Sequence, residues 1–330
     1  MAESPQHAPP RTIAVVAAFA AVYLIWGSTY LAIRFAIETI PPFAMAGIRH
    51  LLAGIVLYAW MRSRSAERPT IAQWRSAAIV GALLLVGGNG AVVWAEQRVA
   101  TGPASLIVAM VPLWMVVLDW ARPRGVRPGA WVLAGIALGL AGITLLVGPG
   151  TFAGGEPIDH IGASVLVLGS LSWAMGSLYS RRATLPSTPL LGTAMELLAG
   201  GVILILIATL TGEWRAMASG VVSIKSVSAL LYLVVFGSLV GFTCYIWLLR
   251  VSTPARVSTY AYVNPVVAVV LGWAFAGEPL TARTALAAAT IIGAVALITV
   301  GQRAGPGARG PRWRERVRGR RWRRGVPIGR

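Results

Sequence analysis

The sequence has a single cysteine, Cys244, and three scattered histidines, His7, His50 and His160, in 330 residues. One thiol excludes an internal disulfide and any cysteine-built metal site, and the histidines leave no zinc spacing. Acidic residues are also scarce, with 11 Asp and Glu against 29 Lys and Arg. Charged residues of both signs make up 12% of the chain, about half the ~25% of an ordinary soluble domain. There is no Gly-x-x-x-x-Gly-Lys-Ser/Thr phosphate loop and no plausible Ser/His/Asp set. ATP-driven and hydrolytic chemistry therefore find no support, and neither a metal nor a cofactor is expected.

What the chain does have is apolar surface: 56% hydrophobic residues and a mean hydropathy of +0.71. A membrane span needs about 20 mostly apolar residues. Such runs fall at roughly 12–33, 43–61, 74–94, 101–119, 129–148, 161–180, 190–210, 226–248, 256–275 and 282–300. The first run is too long for the ~7–15-residue core of a signal peptide and reads as a retained span. The expected fold is an all-α integral membrane protein of ten transmembrane helices, with no room in the short connections for a soluble domain.

Charge placement sets the expected orientation. With the N-terminus inside, cytoplasmic segments carry 12 basic residues before the tail and outer segments five, as the positive-inside rule requires. Residues 301–330 hold 11 Arg and one Glu. An even number of spans returns this tail to the cytoplasm, where a disordered Arg-rich end suits contact with anionic lipid rather than nucleic acid, an inert tail being the alternative. The expected location is the cytoplasmic (inner) membrane, with both termini cytoplasmic.

The two halves resemble each other. At an offset of 147, Trp26 falls on Trp173, Arg34 on Arg181, Pro42 on Pro189 and Arg49 on Glu196; at 153, Ser105 falls on Ser258 and Pro112 on Pro265. The units read as a cytoplasmic segment 1–11, a five-helix repeat 12–148, an outer loop 149–160, a second repeat 161–300 and the tail 301–330. Five spans per repeat is an odd number, so the second copy enters from the opposite side. Such inverted repeats are a hallmark of secondary transporters, whose sites lie near the midplane where the halves meet.

Charges inside a span are costly and tend to mark pathways. Arg49 and Glu196 each lie seven residues past a matching proline, hence about 10 Å deep at ~1.5 Å per residue, with about 10 Å left between them in a ~30 Å layer. Glu196 is the expected proton-coupling or cation-binding group, and Arg49 its offset or an anion holder. A structural ion pair and a snorkelling Arg49 are the alternatives. His50 points about 100° away from Arg49 around its helix. Asn89 is either a ligand or interhelical glue.

Trp26, Trp114, Tyr260 and Tyr262 are the aromatic cavity candidates, because they sit deep and share helices with polar positions. Val257 to Pro265 collects Ser258, Thr259, Tyr260, Tyr262 and Asn264 in one apolar run. Its counterpart, Ala104 to Pro112, keeps Ser105 and the proline but not the tyrosines or the asparagine. Pro112 and Pro265 should therefore shape, by kinking or local opening, helices whose contacts come mainly from the second half.

The stretches YLIWGSTYLAIR (Tyr23–Arg34), GNGAVVWAEQ (Gly88–Gln97), PASLIVAMVPLW (Pro103–Trp114) and NPVVAVVLGWAFAGEPLT (Asn264–Thr281) resemble the two halves of EamA-type proteins in the drug/metabolite transporter superfamily. The resemblance implies ten helices in two inverted five-helix repeats, a central cavity, and efflux of small metabolites, amino acids or drugs, commonly by proton exchange. Where the first half should end in its own Gly-Glu, Asp119-Trp120-Ala121-Arg122 stands instead, and the Arg-rich tail departs from the pattern.

The expectation is thus a proton-coupled exporter of small molecules, monomeric or homodimeric, working by alternating access. Substrate contacts are expected from Trp26, Arg49, Asn89, Ser105, Trp114, Glu196, Tyr260, Tyr262 and Asn264. The competing readings are uptake or facilitated diffusion and, from another class, a membrane scaffold whose tail recruits anionic partners.

Overall fold

The structure, a computed structural model, describes residues 12–64, 67–122, 128–147, 158–252 and 260–304. The N-terminal segment, nearly all of the expected outer loop and the tail beyond 304 lie outside the described residues. Among the described residues, apolar helices follow the apolar runs: α1 Thr12–Ala36, α2 Pro42–Arg64, α3 Ile71–Ala95, α4 Thr101–Trp120 and α5 Ala130–Val147, then α6 His160–Ser180, α7 Pro189–Leu210, α8 Ile224–Leu248, α9 Tyr260–Ala276 and α10 Ala282–Ala304. A short helix, Glu213–Ser219, joins α7 to α8. Among the described residues there is no strand. Eight of the helices are long and apolar enough to cross a membrane; α5 and α9 are shorter apolar helices. Segments apolar all round become helices because lipid offers the backbone no hydrogen bonds, so each must satisfy its own.

Helix starts are written in the sequence. Proline, which lacks the N–H that a first turn leaves unused, opens α2 and α7. Thr70 and Gln73 form a capping box at α3, Asp159 Oδ1 accepts from Gly162 N at 2.6 Å at α6, and Ser223 Oγ accepts from Ser226 N at 3.1 Å at α8.

Three helices depart from regularity. α4 breaks at Ala109 and Met110, just before Pro112, whose missing N–H and ring deny the preceding turn its bond. α3 and α8 each widen into a π-helical segment, Ala82–Gly90 and Leu233–Val240. These segments match at an offset near 150, the spacing that relates the two halves. In each, a side chain from the other half bonds a backbone carbonyl: Ser172 Oγ to Leu83 O at 2.8 Å, and Trp26 Nε1 to Gly237 O at 3.2 Å.

The main packing pairs are kept when the halves are exchanged. α2 lies on α7, α4 on α9 and α5 on α10; α1 of the first half packs on α8 and α9, and α6 of the second on α3 and α4. The α2–α7 seam is close. A Cβ on Gly54 would stand 2.9 Å from Leu198 N, and one on Gly201 would stand 2.9 Å from Leu51 N. Small residues let helix backbones approach where lipid supplies no hydrophobic push between helices.

The two ends of the bundle differ. At the end where α1 finishes, Lys225 Nζ meets Glu38 Oε1 at 2.6 Å, Arg98 meets Asp159 at 3.7 Å, and Glu213 accepts from Phe43 N and Ala44 N at the start of α2. Gly277, with φ +67°, ends α9 in the left-handed region open to glycine. That turn lets Glu278 N bond Gly272 O at 3.1 Å and sends the Glu278 carboxylate to Thr101 N at 2.6 Å and Gly102 N at 3.0 Å, capping α4. At the opposite end Glu67 accepts from Ser187 N, Ser187 Oγ and Thr188 N ahead of α7.

Candidate functional site

The π segment of α8 organises the seam between the halves. Its Gly237 and Ser238 are consecutive, and each receives a side chain from the first half. Trp26 of α1 donates to Gly237 O, and Arg49 of α2 donates Nε to Ser238 Oγ at 3.1 Å. Small residues give them room: a Cβ on Gly241 would collide with Trp26 Nε1, and one on Gly237 would lie 3.1 Å from Arg49 Nη2. Around Trp26 stand Tyr245 and Tyr260, each with ring centroids 5.1 Å away, and Phe242 at 5.6 Å. One turn on, Ser28 Oγ and Tyr232 OH are 2.6 Å apart.

Arg49 is 5% exposed, and its Nη1 has no hydrogen-bond partner among the described residues. Asn264 Oδ1, on α9, is likewise buried and unbonded. Its peptide oxygen lies 3.2 Å from where a Cβ on Gly27 would stand, so α9 packs on α1 beside Trp26. Trp26, Arg49 and Tyr260 are brought to one region around α8, with Asn264 about one helical turn beyond Tyr260 on α9. A fixed guanidinium with a spare N–H, a carboxamide and an aromatic wall can take a small molecule with an anionic group and an apolar body.

The other residues singled out from the sequence lie elsewhere. His50 Nε2 and Asn89 Oδ1 are 3.2 Å apart, joining α2 to α3. Ser105 Oγ turns back on its own helix to Gly102 O at 2.7 Å, and Trp114 Nε1 donates to Ser170 Oγ of α6 at 2.9 Å. Glu196 has no hydrogen bond or ion pair among the described residues, and its peptide oxygen is 2.6 Å from the Cβ position of Gly81 on α3. Arg49 and Glu196 form no ion pair; the pairs among the described residues all lie at helix ends. Pro265 lies inside α9, which is helical throughout its described length from Tyr260 to Ala276. The side chain of Tyr262, with Ser258 and Thr259, lies outside the described residues.

Ser238, Tyr232, Phe242 and Tyr245 were not anticipated from the sequence. A signal for Ser238 exists: Gly237-Ser238 falls on Gly88-Asn89 at an offset of 149, a small residue and a polar one deep in corresponding helices.

Comparison with known proteins agrees with this architecture. The model of the EamA-like transporter family matches residues 12–148 and 160–300. The uncharacterized inner membrane transporter YedA of Escherichia coli K12 is 42% identical over 283 residues, covering 86% of this chain and 89% of that protein. The uncharacterized transporter YvbV of Bacillus subtilis is 24% identical over 297 residues, covering 90% and 94%. A solved crystal structure with 22% sequence identity superposes with a TM-score of 0.59 over 88% of this chain and 97% of that one, a likeness of fold. With both halves matched and nearly the whole bundle shared with a relative at this identity, the chain belongs to the EamA-like transporter family.

Proposed function

We propose that the chain is a secondary exporter of small amphipathic metabolites that carry an anionic group, working by alternating access in the cytoplasmic membrane. The observation that carries the substrate class is Arg49. A guanidinium buried at the seam with no carboxylate partner is costly to keep unless a ligand completes it. Trp26, Phe242, Tyr245 and Tyr260 supply the apolar wall, and Asn264 a further polar contact.

The membrane reading takes all ten apolar helices as spans, α5 and α9 included, with both termini cytoplasmic and the second repeat inverted. The exchange symmetry of the packing and the matching π segments support two equivalent halves. The relative named as an inner membrane transporter supports the location. Proton exchange is assigned to Glu196, a carboxyl within α7 without an ion-pair partner. The test is flux from proteoliposomes under an imposed pH gradient, offering aromatic amino acids, aromatic carboxylates and cationic drugs. Anionic amphipaths should be carried and Arg49→Gln should abolish their flux; cationic drugs carried equally by both proteins would overturn the substrate class.

A further inference from the structure

Glu96, at the end of α3, is fully buried, and neither of its carboxyl oxygens has a hydrogen-bond partner among the described residues. The groups that face it are few. From α1 come Arg34 and Tyr30, both within electrostatic range. Arg34 donates Nη1 to the Glu96 peptide oxygen at 2.6 Å, and no ion pair joins it to the carboxyl. From the turn after α9 comes a second carboxylate, Glu278, whose own oxygens are taken by Thr101 N and Gly102 N. The hydroxyl of Thr101, at the start of α4, is also buried and has no partner among the described residues. The nearby Arg98 and Asp159 pair with each other. A carboxyl shut from water, beside another negative charge and given no donor, is stable as a neutral acid and strongly destabilised as an anion. Gly272 keeps the arrangement tight: a Cβ there would lie 2.5 Å from Glu278 Oε2.

Contacts tie the elements together at this end of the bundle: Glu278 to α4, Glu213 to α2 and Lys225 to Glu38. We propose that Glu96 is a proton-binding latch of the transport cycle, carrying its proton while contacts hold this end shut, releasing it to the outer water when the end opens and regaining one from the same side as it closes. On opening, water enters, the O–H bond breaks, the proton passes to water and the electron pair stays on the carboxylate, which Arg34 then balances. The inference rests on the exporter reading, in which this end faces outward, and adds an outer proton site to the one assigned to Glu196.

Two measurements on the full chain in lipid nanodiscs test it without any substrate. The first is the protonated-carboxyl infrared band at neutral pH. It should lose intensity in Glu96→Gln, and an unchanged band would overturn the proposal. The second is a spin-label distance between Val221→Cys and Leu280→Cys, both exposed, in a Cys244→Ser background. The distance should lengthen as pH rises, and in Glu96→Gln, which mimics the neutral acid, it should stay short at every pH. A Glu96→Gln chain that opens like its parent overturns the proposal. If Glu96→Gln does not assemble, Glu96→Asp carries the test: it should displace the midpoint of opening, and an undisplaced midpoint is equally fatal. Positive results here with no pH-driven flux in proteoliposomes would sink the exporter reading and leave the proton site standing.

Discussion

Glu67 and Glu213 cap each other's helices: Glu67, which follows α2, holds the start of α7, and Glu213, which follows α7, holds the start of α2. They stand 146 residues apart, close to the offset of 147 that relates the prolines opening those two helices. Each anion sits where a helix start presents unbonded N–H groups and positive dipole. Glu213→Ala should lower the melting temperature in detergent, at about 1 kcal/mol for a lost cap, and Glu213→Gln should lower it less. An unchanged melting temperature in both would show the cap to be idle.

The Ser187 hydroxyl and amide, and then the Thr188 amide, hold the Glu67 carboxyl below its ordinary range. A depressed folded-state value means that the stabilisation is complete above the ordinary carboxylate range and is lost as pH falls through the lowered value. The effect is small, because the group is exposed and screened. Wild type and Glu67→Gln should therefore differ in melting temperature at neutral pH and converge in acid; divergence in acid would reverse the sign.

Gly272 and Gly277 serve one carboxylate. Gly277→Ala should cost about 1 kcal/mol, because its φ of +67° disfavours a Cβ. Gly272→Ala should displace Glu278 from α4 and cost more. In a Glu278→Ala background Gly272→Ala should then add little, since coupled residues are not additive. Full additivity in the thermal melts would separate the two.

Around α8, Trp26→Phe removes the bond to Gly237 O and should weaken transport while leaving the fold intact. Gly241→Ala should do the same by pushing the indole aside. A Gly241→Ala chain with normal flux and an unshifted tryptophan emission would show that the contact is not needed.

Asn264→Val should reduce flux far more than Val111→Ala, because the buried Asn264 Oδ1 is unbonded and available to a ligand. Equal effects would remove Asn264 from the site. Glu196→Gln should uncouple flux from the pH gradient, and unaltered coupling would end its assignment.

The helices were legible because lipid tolerates one solution for an apolar run, and Pro42, Pro189, Gly277 and the Thr70 and Ser223 caps punctuate them. The break before Pro112 was legible for the same local reason. Within the site, Arg49 and Trp26 stood out as polar or bulky groups in small-residue helices. Ser238 did not, since a serine in a span usually satisfies itself on its own helix. Its role depends on the wide turn beneath it, and no residue type encodes a π segment. Glu67 and Glu213 looked like ordinary loop charges because their partners are backbone amides of the other half.

Those wide turns also set a rhythm of solvent exchange along the bundle. Amide protection follows the local cost of opening a turn, and π turns are weakly bonded stretches inside well-bonded helices. In an isotope-labelling time course, α3 and α8 should each deuterate from the middle outward, at 82–90 and 233–240, ahead of their flanks. The two most labile backbone stretches in the transmembrane core would then lie directly beneath Trp26, Arg49 and Ser172.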